Sequence, residues 1–387
     1  MSEQVLIAGG DVILGEEPEK FLAGVAPILK NADVRLAQLE CPYIDKATEQ
    51  MDPSRETRNL GPLKGLFDVM TLAGNHLYDF GENGVRDTLR WLDGAGILHT
   101  GGGMNLAEAE KPAIFVKEGV RYGFLNFNCV GSELMHASEN KAGCAFANTT
   151  SVCMVTSIIE PYFGKGEIPI PEGSKGIMIS YPRPEDYIRV GDLVAELRPS
   201  CDVLSVYFHK GAVHKPALVE PYERLISRIA IDAGADVVFS SHAHILRGVE
   251  IYKGRTIFHG LNNFAVWAPL LSPNYKGKFN KTEFSDQEEW NRKRIARFGF
   301  VPDPDYPTYP FHPESVHTAA AKCIVRDGKI AETRLIPLLV GKDGVTRVLH
   351  RDELGQKTFD YIVRITDSQN LNVRYEWKGD EMVIIER

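Results

Sequence analysis

Nothing in this chain pairs its cysteines by spacing. The six, at 41, 129, 144, 153, 201 and 323, include no C-x-x-C, the spacing that zinc ribbons and thioredoxin-like redox sites need. In 387 residues they read as scattered thiols rather than a disulfide framework, because a core of that size needs no covalent staple. Long apolar runs are also missing: none reaches the roughly 18 residues of a membrane-spanning helix. The opening MSEQVLIAGGDVILGEE has no basic start, and its apolar run is too short for the core of a signal peptide. A cytoplasmic, reducing location and no membrane span are expected. Excess positive charge is absent as well. Asp plus Glu number 52 against 44 Lys plus Arg, a net charge of −8, so the footprint of a nucleic-acid binder is lacking and no nucleic-acid partner is expected. What remains is an ordinary globular balance, 43% apolar and 25% charged, with eleven His. Histidine is both the acid/base of neutral pH and the commonest metal ligand.

Short apolar runs alternate with amphipathic stretches over the first 260 or so residues. Val5–Ala8, Val34–Leu39, Phe67–Ala73, Val203–Phe208 and Val237–Phe239 read as buried strands. Val85, Leu89 and Leu92 fall at i, i+4 and i+7, which predicts a helix over 82–95 ended by Gly94 and Gly96. A second helix is predicted around Tyr222–Ala233. Hairpins are expected around KEGV, KGR and RDGK, and 351–387 reads as a helix followed by a hairpin. Two stretches, 131–185 and 268–316, break the rhythm and read as irregular insertions of functional type. Strands, helices and hairpins in this mixture predict an α/β domain with mixed sheets over 1–345, and a C-terminal extension over 346–387.

Metal-ligand side chains recur at the carboxyl ends of the predicted strands, where open α/β sheets place their sites. Asp11 follows the first, Glu40 the second, and Asn75 with His76 the third. His209 ends the run 203–208, and His242 and His244 end the run at 237–239. Carboxylate and amide oxygens mixed with imidazole nitrogens suit borderline divalent ions such as Mn, Fe or Zn. A bridging carboxylate would hold two ions about 3.5–4 Å apart and activate a water between them. The H-x-H pair at 242 and 244 would share a face on a strand, or address two neighbouring ions on a turn. Asp79 could orient His76 through its other ring nitrogen, or cap the following helix.

The order GD, E-x-P, GNHxxDxG, H-x-G and H-x-H resembles the CapA family of poly-γ-glutamate capsule-synthesis proteins, within the calcineurin-like metallophosphoesterases. The likeness runs from about residue 3 to 266 and rests mostly on FDVMTLAGNHLYDFGENGVRDTL and on DAGADVVFSSHAHILRGVEIYKGRTIFHGLNNF. It implies a four-layer α/β/β/α sandwich with one or two divalent metal ions at the sheet edge. Asp11, Glu40, Asn75, His209, His242 and His244 would be the ligands, with Glu40 as the bridge and His76 as acid or transition-state stabiliser. Three positions depart from the pattern. Ile13 stands where the superfamily's D-x-H has its histidine, leaving one site a ligand short. Lys210 and Val213 replace the Trp and Glu of H-W-G-x-E, and His214 could compensate or be a surface residue.

These features imply a metal-dependent hydrolase in which metal-bound hydroxide attacks a γ-glutamyl-type amide or a phosphoester of a small or polymeric anionic substrate. Arg58, Lys210, His214 and Arg247, with Lys215, are the groups that could hold the anion. The stretch 268–316, with Trp267 before it and Tyr275, Trp290 and Tyr309 within, could form a lid or a pocket wall, and its aromatics could equally be packing or the contact of a homo-oligomer. The alternative is a non-catalytic component of poly-γ-glutamate synthesis or export on the same fold.

Overall fold

The computed structural model describes residues 3–49, 51–155, 176–272 and 287–387. Two sheets form its middle. The larger has the order Val373–Lys378, Glu381–Glu386, Lys329–Val340, His317–Arg326, Glu3–Ile13, Val34–Leu39, Val69–Thr71, Leu98–Thr100, with Asn263–Val266 and Thr346–Val348 as side pairings. The strands from Glu3–Ile13 to Leu98–Thr100 run parallel, and those from His317 onward pair antiparallel. The smaller sheet has the order Val249–Tyr252, Arg255–Phe258, Val237–His242, Val203–Lys210, Val120–Asn128, Ala113–Lys117. Its central three strands are parallel. Parallel strands need helical crossovers, and that puts helices on the outer faces.

Three apolar cores show the layering. Between the sheets, Leu6, Leu36 and Val69 of the first meet Tyr122, Val203 and Phe239 of the second. On the outer face of the first sheet, Val85, Leu89 and Leu92 of helix Gly81–Ala95 are buried. Outside the second sheet, Val190, Val194, Ile226 and Ala230 of helices Pro184–Leu197 and Pro221–Asp232 pack inward. Each such side chain contributes about 1.5–3 kcal/mol on burial, Ala less. The result is the expected four-layer α/β/β/α sandwich. Helix Gly81–Ala95 ends because Gly96 takes a left-handed φ of 70° and turns its N–H back to Asp93 and Leu92, the geometry glycine favours.

Several expectations change in detail. The first strand runs on past Ala8 to Ile13, so Asp11 lies inside it rather than in a turn. The stretch 131–185 is not irregular throughout: Thr149–Val155 and Gly176–Pro182 pair as an antiparallel ribbon. Within 268–316, residues Gln287–Phe298 form a helix. Tyr275 and the side chain of Trp290 lie outside the described residues. Trp267 and Tyr309 are buried, in keeping with packing. The extension expected at 346–387 supplies helix Glu353–Asp367 and the edge hairpin of the larger sheet. Among the described residues no helix is long and apolar enough to cross a membrane.

Candidate metal centre

The first sheet presents three of the ligand-type residues and the second presents the other three. Asp11 sits where the register of strand Glu3–Ile13 shifts against both parallel neighbours, and such a bulge re-aims a side chain. The chain approaches closely there. A Cβ on Gly10 would stand 1.8 Å from the Asn262 carbonyl oxygen, which accepts the Asp11 N–H at 2.9 Å. Glu40 is the first residue beyond Val34–Leu39, and Asn75 follows Val69–Thr71. From the second sheet come His209 within Val203–Lys210, His242 at the end of Val237–His242, and His244 just after it. His242 and His244 both have positive φ, 95° and 49°. That backbone is uncommon for histidine and typical of constrained sites.

The six converge. Glu40, His209 and His242 form one group, and Asp11, Glu40 and His244 a second, each with its ligand atoms within 4.8 Å of one another. Glu40 belongs to both. His209 Nε2 lies 2.8 Å from Asn75 Oδ1 and 3.1 Å from His242 Nδ1, so Asn75 joins the first group. His244 Nε2 lies 3.2 Å from Glu40 Oε1 and its Nδ1 3.8 Å from Asp11 Oδ2. The two histidines of SSHAH thus divide between the groups, as a turn allows.

Asp11, Glu40, His209 and His242 are buried, and the charges of the site follow from that. Burial pushes the His209 imidazole down to about 3, and burial with the neighbouring His209 holds His242 well below its ordinary value. Both rings are therefore neutral at pH 7 and present lone pairs. Burial and the Glu40 charge raise the Asp11 carboxyl. Burial alone would also raise Glu40, but the facing His244, with His76 and His209, outweighs it and holds Glu40 ionised. Two buried acids thus draw the His244 imidazolium as counter-charge. Glu40 Oε2 and His209 Nδ1 are buried without a hydrogen-bond partner. Orphaned carboxylate oxygens and ring nitrogens are what a divalent cation takes up, and the donor set of two carboxylates, one amide and three imidazoles suits Mn, Fe or Zn. The residues fit such an ion, or a pair sharing Glu40.

His76 stands at the open side, its side chain 41% exposed. Its Nδ1 lies 2.8 Å from Asp79 Oδ2. Helix Gly81–Ala95 begins at Phe80 without a side-chain cap, so of the two roles open to Asp79 the structure realises the pairing with His76. Burial works against the imidazolium, but the Asp79 hydrogen bond and the Glu40 charge raise its pKa.

The proposed anion holders fare differently. Lys210 is fully buried. Its ammonium donates to the Glu223 carbonyl at 3.0 Å and to His259 Nδ1 at 3.2 Å, and His259 Nε2 reaches Glu250 at 3.0 Å. Both faces of its strand are covered, so there is no solvent side to point to. Arg247 is 2% exposed, donating to the Ala212 carbonyl. Both side chains are enclosed by protein in this structure. His214 is no surface residue: it is 3% exposed and its ring lies tilted beside that of His244, ring centres 5.9 Å apart. Arg58 is exposed and paired with Glu56 at 3.0 Å. Ile13 belongs to an apolar cluster with Val266, Tyr309 and Phe311, which fills the corner where a ligand histidine would stand.

Sequence reasoning missed the residues that hold the ligands. Ser241 Oγ donates to Asp11 Oδ1 at 2.6 Å, and the His242 N–H to Asp11 Oδ2 at 3.0 Å. Asn263 Oδ1 sits 2.8 Å from His244 Nδ1, while its amide donates to the Tyr309 hydroxyl at 2.6 Å. Such partners fix tautomer and ring angle. The signal was present in SSHAH and LNNF, two blocks already singled out.

An α/β/β/α sandwich carrying a candidate two-ion centre at the shared edge of its sheets is the class these features define. The profile of the family described as bacterial capsule synthesis protein PGA_cap matches residues 5–266. The chain belongs to that family. It is 26% identical over 389 aligned positions to the uncharacterized protein y4sH of Sinorhizobium fredii, covering 87% of this chain and 82% of the relative. To the PGA biosynthesis protein CapA of Bacillus subtilis it is 25% identical over 281 positions, 68% of this chain and 64% of that one. The crystal structure of the calcineurin-like phosphoesterase YfkN from Bacillus subtilis aligns over 95% of this chain and 98% of its own, with a TM-score of 0.38 and 11% identity.

Proposed function

We propose that this chain is a divalent-metal-dependent hydrolase that cleaves a γ-glutamyl-type amide or a phosphoester in an anionic substrate, and works in the cytoplasm. The observation that carries the reading is the pair of ligand groups sharing Glu40 beside an exposed, carboxylate-oriented His76. Asp11, Glu40 and His244 would hold one ion, and Glu40, Asn75, His209 and His242 the other. A bound ion supplies Lewis-acid polarisation and water activation near neutral pH. The protein's own residues do the rest. Ser241 and Asn263 lock Asp11 and His244 in place. Asp79 accepts a hydrogen bond from His76 Nδ1–H and favours the protonated ring, which leaves Nε2–H for the substrate. His76 then donates a hydrogen bond or a proton to the leaving side as charge builds there. Both bond types build negative charge on an oxygen, so the same residues serve either.

The relative named PGA biosynthesis protein CapA supports a glutamate polymer as the substrate. The names of two mycobacterial relatives, probable polyglutamine synthesis accessory proteins, favour the second reading, a non-catalytic part of polymer synthesis or export. The test is a screen of Mn, Fe, Zn and Co forms against phosphomonoesters, phosphodiesters and γ-glutamyl amides, with His76→Ala as control. A protein that purifies without these metals and stays inert after their addition would sink the hydrolase and leave the second reading.

A further inference from the structure

The sheet does not serve the backbone of Ala73, the residue that leads into Gly74, Asn75 and His76. One position earlier, the Leu72 N–H still reaches the Thr100 carbonyl of the neighbouring strand at 2.9 Å. At Ala73 two side chains take over. Asn126 Oδ1 accepts its N–H, and Gln38 Nε2 donates to its carbonyl at 3.2 Å. Buried backbone groups need partners, and here both partners come from strands that carry metal-ligand residues.

Asn126 stands on Val120–Asn128 of the smaller sheet, and its Nδ2 donates to the Tyr207 carbonyl at 3.0 Å. Tyr207 is two residues before His209 on Val203–Lys210. One amide therefore bonds the chain that delivers Asn75 and the strand that delivers His209. Those two ligands meet at 2.8 Å although they are 134 positions apart in the sequence. Gln38 is two residues before Glu40, and its Oε1 accepts the Thr71 hydroxyl at 2.8 Å. Asn126 is 1% exposed and Gln38 fully buried.

A third position makes room for the clamp. Gly101 holds a φ of 90°, and a Cβ there would stand 2.2 Å from Asn126 Oδ1 and 2.7 Å from the Ala73 nitrogen. Only glycine meets both conditions without strain. Asp11 and His244, on the other side of Glu40, are held by a different set of partners: Ser241, the His242 N–H and Asn263.

We propose that Asn126, helped by Gln38, is the positioning residue of one half of the centre. It fixes the Asn75 turn against His209, and so sets the affinity of the Glu40–Asn75–His209–His242 site and not that of the Asp11–Glu40–His244 site. The proposal rests on the metal-binding part of the reading above and needs no cleavage. Partners that orient metal ligands change metal affinity by roughly 10–100-fold when lost.

The test is titration of the metal-free protein with cobalt, read by the visible absorption of the bound ion. His242→Ala and His244→Ala mark which binding step belongs to which site. Asn126→Ala should weaken the Asn75 site roughly tenfold or more and leave the other within about twofold. Gln38→Met, close in volume, should weaken the same site by a smaller factor, and it decides the matter if Asn126→Ala does not fold. Tyr122→Phe is the control for general loosening. It removes a buried cross-sheet bond, from the Tyr122 hydroxyl to Gln4 Oε1 at 2.6 Å, near the starts of the two strands rather than their ends. It should lower the melting temperature and leave both affinities unchanged.

Cobalt binding by the deciding variant within about twofold of wild type overturns the proposal. So does an equal loss at the two sites, a single step that both histidine variants abolish, or the same selective loss in Tyr122→Phe. A wild type that takes up no cobalt overturns it together with the metal-dependent reading. Selective loss in the variants with no bond cleaved in the screen removes hydrolysis alone and leaves the positioning role standing.

Discussion

Asp79 Oδ2 stands 2.8 Å from His76 Nδ1, three residues away on the turn that enters helix Gly81–Ala95. One carboxylate thereby sets the tautomer and the tilt of the exposed imidazole beside the metal-ligand groups. A catalytic histidine whose Nδ1 is occupied can act only through Nε2.

From this pairing, His76→Ala is expected to keep its metal and lose about 10²–10⁴-fold in kcat. Asp79→Asn should keep metal and substrate affinity and lose roughly 10–100-fold. Steady-state kinetics with metal analysis checks both. Full activity in His76→Ala on every cleaved substrate would remove His76 from the mechanism.

The division of His242 and His244 between two groups makes metal stoichiometry informative. His242→Ala should lower occupancy of the Asn75 site and spare the other; His244→Ala should do the reverse. Glu40→Ala should lower both. Elemental analysis after dialysis reads this. Equal loss in all three would mean that the groups act as a single site.

Chelation should destabilise the protein. A ligand at about 100 times its Kd stabilises the folded state by roughly 2.7 kcal/mol, so EDTA should lower the melting temperature by several degrees. An unchanged melting curve would mean that no ion is held at the site.

Acid should destabilise the metal-free protein early. Burial holds His259 down to about 3 and His136 to about 4, and His214 lies down near 2 for the same first cause. Their unfolded forms take a proton near pH 6.5. Each therefore contributes stability that is whole above 6.5 and is lost as pH falls below it. Asp11, raised by burial, His244, raised by Glu40 against its burial, and His76, raised by Asp79 and Glu40 against its own, work the other way over part of that range, but His209 and His242 add to the depressed imidazoles. Glu250, held to about 2 by His259 and Arg228 against its burial, adds its loss only below about 4.5. Denaturant midpoints in EDTA should fall from pH 7 to 5. A flat or rising curve would be inconsistent with buried neutral imidazoles.

The Lys210 ammonium offers a different test. Its side chain and that of Glu223 are both fully buried, 3.9 Å apart. Removing one buried charge strands the other, at a cost of roughly 3–5 kcal/mol. Glu223→Gln should therefore destabilise strongly, and adding Lys210→Met should recover part of the loss. A double variant no more stable than Glu223→Gln would show that the two do not couple.

How far these features were legible depends on which force made them. Helix Gly81–Ala95 was legible because Val85, Leu89 and Leu92 face one core and the rest face water. The ligand set was legible because it lies at the ends of parallel strands, an edge that topology fixes in advance. Lys210 was not. Its strand is covered on both faces, so alternation carries no information about which way a side chain points. Asp79 was open because an i, i+3 spacing serves pairing and capping alike. Helix Gln287–Phe298 was missed because its apolar residues are few and its charges many, which reads as a polar loop. Ser241 and Asn263 were passed over because holding a ligand leaves no pattern in spacing.

Asp11, Glu40 and Asn75 stand on one sheet, and His209, His242 and His244 on or beside the other. Asp11 and His242 are 231 positions apart in the chain. An ion chelated by both sets would be a removable rivet between two halves of the sandwich. The sheets could not part without breaking coordination bonds, so global unfolding should slow as free metal rises. The lifetime of the folded protein would then be set by how its surroundings buffer one trace element.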